Sequence, residues 1–207
     1  HIEKDTTCGT TVYSAITKKA EVRKLTKEKY KEHAKYLIDY ATKFGQIINK
    51  DIWGMVPQNE PELVVPYDYL CYMPDDLAAF VTELKKNIKK SKHANIKKMK
   101  LIGPDVGSTY FLPSLLNKNY FTSSLIDKFD VMDYHTWDFP FNKPWDNYSM
   151  YRLLMGAYLL PTNKPVLVEH GNSSVNEESK NLAGSAEEMI LTSQHIYRNI
   201  AFGKASI

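Results

Sequence analysis

The sequence predicts an α/β protein in which helices cover a parallel sheet. Helical patterns alternate strictly with short, wholly apolar segments, and such segments are typical of strands that are buried on both faces. Polar and aromatic residues gather after the C-terminal ends of these segments, where both barrels and doubly wound sheets place their sites. No glycine-rich phosphate loop follows a predicted strand, which argues against the nucleotide-binding form of such a sheet.

The first predicted elements are a long loop and a helix. Residues 1–25 are polar and show no apolar period, so we expect a loop. Apolar residues then recur at helical spacing from Thr26, a candidate N-cap, to Gly45, where we expect the helix to end. The later elements are a strand over 47–56, a helix over 75–92, a strand over 99–103, a turn over 104–107, a helix over 112–129, a strand over 130–139, a helix over 149–160, a strand over 166–169 and a helix over 185–201.

Two predicted strands end in carboxylates. The run Ile52–Val56 leads into Gln58-Asn59-Glu60-Pro61, and the run Val166–Val168 leads into Glu169. A buried strand carries polar groups at little cost only where it leaves the core, and a proline ends its ladder of hydrogen bonds. Two carboxylates at the ends of separate strands of one sheet suggest glycoside hydrolysis.

Composition and charge exclude several classes of protein. With 207 residues that are 43% hydrophobic and 12% aromatic, the chain can bury a full core. A net charge of +3 with intermixed signs predicts no binding to nucleic acid, and the lysines between positions 85 and 98 fit the solvated face of a helix. No apolar run reaches the length of about 18 residues that a membrane span needs. The chain begins at His1 without a methionine, so we expect a processed or partial chain.

The cysteines and glycosylation motifs bear on cofactors and localisation. Cys8 and Cys71 lack the spacing and histidine partners of a metal site or a thiol nucleophile, so neither a metal nor another cofactor is implied. A disulfide between them and two free thiols are both open. Sequons begin at Asn147 and Asn172 and, together with the apparently processed start, favour a glycoprotein of the secretory pathway, extracellular or lysosomal.

The first carboxylate motif resembles a known family. Trp53-Gly54 followed by Gln58-Asn59-Glu60-Pro61 is similar to the acid/base strand of the clan A glycoside hydrolases, which are (β/α)8 TIM barrels. That clan places its acid/base Glu after an Asn at the end of strand four and its nucleophile Glu at the end of strand seven. If Glu60 ends strand four, Glu169 ends strand seven. Within the clan, the chain most resembles glycoside hydrolase family 30, which has a His and an aromatic residue on strand six, where this chain has Tyr134-His135-Thr136-Trp137.

This resemblance implies roles for particular residues. Glu60 would be the acid/base and Glu169 the nucleophile, while Asn59 would bond the 2-OH of the sugar. Tyr134, His135 and Trp137 would contact the substrate, and either Tyr134 or His135 would orient Glu169, depending on which of them faces the barrel interior.

Several aromatic and acidic residues are further candidates for substrate contact. Trp137 and Trp145 suit a platform that stacks on a sugar ring, whereas Trp53 fits the core better than a platform. Asp105 and Asp138 are either substrate contacts or turn-forming acids.

The resemblance also implies that the chain is a partial barrel, covering about strands four to seven with flanking helices. Residues 1–25 would be the loop after strand three, and residues 26–207 the partial catalytic barrel. Strands one to three and strand eight have no counterpart, and open sheet edges must be paired, so we expect further segments of the same barrel as partners.

Two functions remain open. The favoured one is a retaining hydrolase that acts on a β-linked carbohydrate or glycoconjugate through a covalent glycosyl-enzyme. The alternative is a non-catalytic carbohydrate-binding or scaffold subunit. The presence of both Glu60 and Glu169 favours the enzyme, although Asn59-Glu60-Pro61 by itself could be a junction between strand and turn.

Overall fold

The computed structural model describes residues 25–61, 70–106, 122–135, 163–169 and 186–202, which form an α/β structure. After a 3-10 turn at Lys27–Lys29, the elements are α1 (Tyr30–Ile48), β1 (Gly54–Met55), α2 (Pro74–Lys90), α3 (Ala94–Lys98), β2 (Lys100–Val106), α4 (Ser123–Ile126), β3 (Val131–His135), β4 (Val166–Glu169) and α5 (Ala186–Phe202). The strands of these ranges form one sheet in the order β1-β2-β3-β4, and every pair is parallel. The predicted parallel sheet with flanking helices is therefore confirmed.

The main apolar core lies between the sheet and the helices. Met132 and Tyr134 of β3 belong to this core together with side chains of α1, α2 and β2. Successive side chains of a strand point to opposite faces, so Asp133 and His135 lie on the other face of the sheet. That face is the one that a closed barrel turns towards its interior.

Helix α1 is longer, and strand β1 shorter, than the sequence pattern predicted. The helix continues through Gly45 to Ile48 and ends at Asn49, whose φ of 51° is left-handed and takes the role expected of the glycine. Gly45 is buried within the helix, where a Cβ would lie 2.9 Å from the carbonyl oxygen of Lys50. Only Gly54–Met55 of the predicted strand 47–56 pairs with β2.

Strand β2 continues through the predicted turn at 104–107. Pro104 pairs with Asp133 and Val106 with Tyr134, so the register shifts by one residue at Asp105. Asp105 has a φ of 60°, outside the usual extended range. Such a β-bulge adds one residue to a strand and can re-aim a side chain, and bulges tolerate the proline that a regular ladder excludes. The prediction of a turn was wrong for this reason.

Other elements agree with the sequence within the described ranges. Helix α2 begins with Pro74 in its first turn and has two acids there, Asp75 and Asp76, which favour a helix N-terminus. Strand β4 has its predicted bounds, whereas α3 was not predicted. Of the predicted helix 112–129, the structure describes the end, which contains α4. Residues 136–139 and the predicted helix 149–160 lie outside the described residues.

Cys71 is buried and forms a disulfide bond. The other cysteine of the sequence, Cys8, and the sequons at Asn147 and Asn172 lie outside the residues that the structure describes. None of the described helices combines the length and the apolar character needed to cross a membrane.

A matched pair of glycine substitutions tests the packing of β2. A Cβ on Gly103 would overlap the ring of Phe129, whereas a Cβ on Gly54 would overlap the side-chain tip of Ile102, at 2.7 Å, and lie at an ordinary 3.6 Å from the backbone oxygen of Lys100. We expect Gly103→Ala to lower the free energy of unfolding by about 1–3 kcal/mol, because a buried ring must shift. Gly54→Ala should cost less, because a methyl group at the end of a flexible side chain can rotate away. Urea titration of both variants measures the difference, and the reverse order would contradict this packing.

Candidate active site

The candidate site lies at the C-terminal edge of the sheet. Parallel strands end at a common edge, so residues that end or follow neighbouring strands lie close together. His135 ends β3 and Glu169 ends β4, while Asp105 lies near the end of β2 and Glu60 in the segment after β1. The residues therefore come from every strand of the described sheet.

His135 joins two carboxylates. Its Nδ1 lies 3.1 Å from Oε1 of Glu60, and its Nε2 lies 3.0 Å from Oδ1 of Asp105. The side chains of His135 and Asp105 are 1% and 2% exposed, and that of Glu60 is 14% exposed. Buried groups of this kind are retained only when they are hydrogen-bonded to each other. We call these three side chains, Glu60, His135 and Asp105, the carboxylate–histidine cluster.

The backbone adds a direct link between the two acids of the carboxylate–histidine cluster. The N–H of Glu60 donates to the carbonyl oxygen of Asp105 at 3.0 Å. Both residues have positive φ angles, 45° for Glu60 and 60° for Asp105, in a region that costs a residue with a side chain about 1–3 kcal/mol. Strain of this kind persists only where surrounding contacts over-determine it, and it is concentrated at functional sites.

Strand register places the backbone of Glu169 beside His135. The two residues are Cα partners in the β3–β4 ladder. Neighbouring strands lie about 4.8 Å apart, so the backbone of Glu169 is one strand spacing from that of His135.

The structure answers which residue of the Tyr134-His135 pair lies on the interior face. Tyr134 is 1% exposed and belongs to the core against the helices, while His135 lies on the opposite face. The ring of His135 is hydrogen-bonded to Glu60 and Asp105, and an orienting contact of His135 with Glu169 stays a prediction. Asp105 is neither in the expected turn nor at the surface: it lies at the bulge in β2, and its buried side chain is hydrogen-bonded to His135. A substrate contact by Tyr134 stays a prediction.

The remaining predicted site residues divide into exposed and undescribed positions. The side chain of Asn59 is exposed, and its contact with a sugar stays a prediction. Trp53 is 55% exposed, so its assignment to the core was wrong. Trp137, Asp138 and Trp145 lie outside the described residues.

The role of Asp105 is the feature that sequence reasoning missed. A Gly-Pro-Asp-Val-Gly segment predicts a turn, and only the proline at a strand end could have indicated a bulge.

No group of three or more His, Cys, Asp and Glu side chains among the described residues is arranged to hold a metal ion.

Comparison with known proteins connects this geometry to a fold. No protein-family model matches the chain, and no curated protein matches it. A glycoside hydrolase family 30 endoxylanase from Clostridium papyrosolvens C71 has a similar structure, with 15% identity and a TM-score of 0.55 over 99% of this chain and 42% of that one. A family 30 subfamily 8 xylanase from Clostridium acetobutylicum matches with 14% identity and a TM-score of 0.54, over 88% of this chain and 39% of that one. A conserved exported protein from Bacteroides fragilis matches with 16% identity and a TM-score of 0.60, over 88% of this chain and 41% of that one.

The fold is therefore part of a TIM barrel, similar to that of these glycoside hydrolase structures. The chain spans 42% of the endoxylanase and similar shares of the other structures, so it corresponds to part of such a barrel.

Proposed function

We propose that this chain is the strand-four to helix-seven part of a retaining glycoside hydrolase that cleaves a β-linked carbohydrate. Glu60 is the acid/base and Glu169 the nucleophile. The observation that carries the proposal is the position of His135, which is hydrogen-bonded to Glu60 and is the strand partner of Glu169. Two glutamates on either side of one residue at the C-terminal edge of a barrel sheet support the assignment, because the reaction needs a pair of carboxyl groups there.

Double displacement assigns a separate task to each acid. The protonated carboxyl of Glu60 gives its proton to the glycosidic oxygen while the bond from that oxygen to the anomeric carbon breaks. The carboxylate of Glu169 bonds the anomeric carbon on the opposite face, at a carboxyl separation of about 5–5.5 Å in enzymes of this type. Glu60 then removes a proton from water, the water oxygen bonds the anomeric carbon, and Glu169 is released.

The burial of the carboxylate–histidine cluster favours this enzyme over a non-catalytic scaffold. Removing Asp105 and His135 from water costs free energy that a neutral, well-packed pair would not. A sugar-binding scaffold needs hydrogen bonds and an aromatic surface at the mouth, but it transfers no proton and has no chemical use for such a cluster beneath it.

Substitution of the two glutamates tests the proposal in the completed barrel. Glu60→Gln should lower kcat/KM for an unactivated β-linked oligosaccharide by about 10²–10⁴-fold, because the leaving group is no longer protonated. The first step on a 2,4-dinitrophenyl β-glycoside should change little, because that leaving group departs without a proton. Added azide should give a β-glycosyl azide with Glu60→Gln and an α-glycosyl azide with Glu169→Gly.

The exposed acid Glu32 on α1 provides the control, and Glu32→Gln should hydrolyse both substrates at the parent rate. Parent-like activity of Glu169→Gly, or one azide product for both variants, would overturn the assignment. Absence of turnover in the parent on a panel of aryl β-xylosides, β-glucosides and their oligosaccharides would favour the scaffold.

We also propose that the outer helices of this chain are covered by further segments of the same barrel, those containing strands one to three and strand eight. On α1, large side chains that are 42–81% exposed recur at helical spacing: Tyr36, Tyr40, Phe44 and Ile47. On α5, large side chains that are 53–67% exposed are Met189, Ile190, Ile196, Tyr197 and Ile200. Apolar faces of this extent mark contact surfaces, and the similar structures are more than twice as long as this chain.

Phe44→Lys tests this second proposal. In sedimentation velocity, the chain should associate with a polypeptide that carries the remaining strand–helix units, and Phe44→Lys should weaken that association at least 10-fold, because a buried cation would replace an aromatic ring. Gln46→Lys is the matched control, since it adds the same charge to the exposed surface of α1 on another face. Equal association of both variants with the completing polypeptide would contradict the proposal.

A further inference from the structure

The hydrogen bonds of His135 require more protons than a neutral imidazole carries. An ionised carboxylate only accepts hydrogen bonds, and a neutral imidazole has one N–H. His135 places Nδ1 against Glu60 and Nε2 against Asp105, at 3.1 and 3.0 Å. With both acids ionised, both ring nitrogens must donate, so His135 is an imidazolium between two carboxylates. With a neutral ring, one of the two acids must carry the second proton.

Asp105 is almost completely buried and contacts His135. The residue is 1% exposed, and its carboxylate lies on the nitrogen opposite the one that meets Glu60. The bulge in β2 and the positive φ of 60° bring its side chain to this face of the sheet. The carbonyl of Asp105 also accepts the N–H of Glu60, so one residue holds both the backbone of Glu60 and the histidine that meets its side chain.

We propose that Asp105 is a positioning residue that acts on Glu60 through His135. It keeps a proton on Nε2 and so leaves Nδ1 with a proton to donate to Oε1 of Glu60. This orients the carboxyl group with Oε2 towards the glycosidic bond. The proposal rests on the acid/base role of Glu60 and extends it to a residue that touches neither substrate nor the reacting atoms.

During turnover, the carboxylate–histidine cluster alternates between two protonation states that differ by one proton. Before cleavage, Glu60 carries its proton on Oε2, His135 is an imidazolium and Asp105 is ionised. The proton leaves Oε2 for the glycosidic oxygen, and the electron pair that stays on Glu60 is stabilised by the N–H of His135. In the second step the proton returns to Oε2 from water. His135 and Asp105 keep their protonation states throughout, as an aspartate does when it holds a catalytic histidine in one orientation.

Other charged residues near His135 belong to the same electrostatic surroundings. Asp133 lies two positions earlier on the same face of β3 and is 1% exposed. Glu169 is the register partner of His135 on β4. Because Asp133 is an acid, it also favours the imidazolium form of His135, so removal of Asp105 alone is expected to change the site partially rather than to abolish it.

Asp105→Asn tests the proposal by kinetics, because it keeps the size of the side chain and removes its charge. We expect kcat/KM for an unactivated β-linked oligosaccharide to fall about 10- to 100-fold, the scale of a misplaced catalytic group, with a much smaller change in the first step on a 2,4-dinitrophenyl β-glycoside. The alkaline limb of the kcat/KM profile should move to higher pH, since a carboxyl beside a neutral ring keeps its proton longer than one beside a cation.

Asp130→Asn is the matched control. Asp130 accepts the N–H of Leu101 at 2.9 Å and forms an ion pair with Lys85. It directly precedes β3, at the opposite end of that strand from His135. We expect Asp130→Asn to lower the free energy of unfolding and to leave the alkaline limb of the kcat/KM profile at the same pH. A double variant of Asp105→Asn with His135→Gln should be no slower than His135→Gln alone, because both changes interrupt one chain of contacts.

A second readout does not depend on hydrolase activity. In a protein labelled with ¹⁵N-histidine, both ring nitrogens of His135 should show the shifts of protonated nitrogen at neutral pH, and one of them should lose its proton in Asp105→Asn. His135→Gln assigns the signals by removing them. If the parent hydrolyses none of the glycosides, the acid/base role fails, and the nitrogen shifts still decide whether Asp105 keeps the second proton on the ring.

Three results would contradict a positioning role of Asp105. If Asp105→Asn lowered the melting temperature but left the alkaline limb of the kcat/KM profile at the same pH, Asp105 would have only a structural role, and the proposal would be overturned. Additive effects in the double variant, or a singly protonated ring in the parent, would also overturn it.

Discussion

The imidazole of His135 is the interaction on which the geometry of the site depends. It is held on one side by the carboxylate of Asp105 and on the other by that of Glu60, almost out of contact with water. Each of these groups would cost free energy if it were buried alone, so the three are stable only together. Two acids with positive φ angles are kept in place by this arrangement and by the backbone hydrogen bond between them.

The parallel sheet gives these contacts a common location. Each strand is fixed by the core that its opposite face forms with the helices, so its C-terminal end has little freedom. The bulge in β2 departs from regular pairing and carries Asp105 to the interior face. A rigid scaffold with one local irregularity is thus sufficient to converge acids from separate strands on one histidine. The same scaffold leaves large apolar side chains on the outer faces of α1 and α5 exposed.

The parts of the fold that could be predicted from sequence depend on periodic patterns. Alternation of apolar strands with amphipathic helices predicted the parallel sheet. Counting strands forward from Glu60 predicted that Glu169 ends the third strand after β1, and this strand is β4. The parts that failed depend on single backbone conformations. A left-handed φ at Asn49 replaced the expected glycine cap, and a left-handed φ at Asp105 replaced a turn by a bulge. An asparagine or aspartate in the sequence does not by itself indicate a left-handed φ, since both residues also occur in ordinary turns and caps. The hydrogen bond between His135 and Asp105 depends on the bulge in β2, so this contact could not be predicted from a sequence that does not indicate the bulge.

Mechanism-based labelling tests the central claim, the division of labour between Glu60 and Glu169, most directly. A 2-deoxy-2-fluoro β-glycosyl fluoride of a sugar that the protein hydrolyses should inactivate it and leave the fluorosugar on one peptide. The account predicts that tandem mass spectrometry finds the label on Glu169, with hydrolysis of the parent substrate proceeding with retention of configuration. A label on another residue, or hydrolysis with inversion, would contradict it.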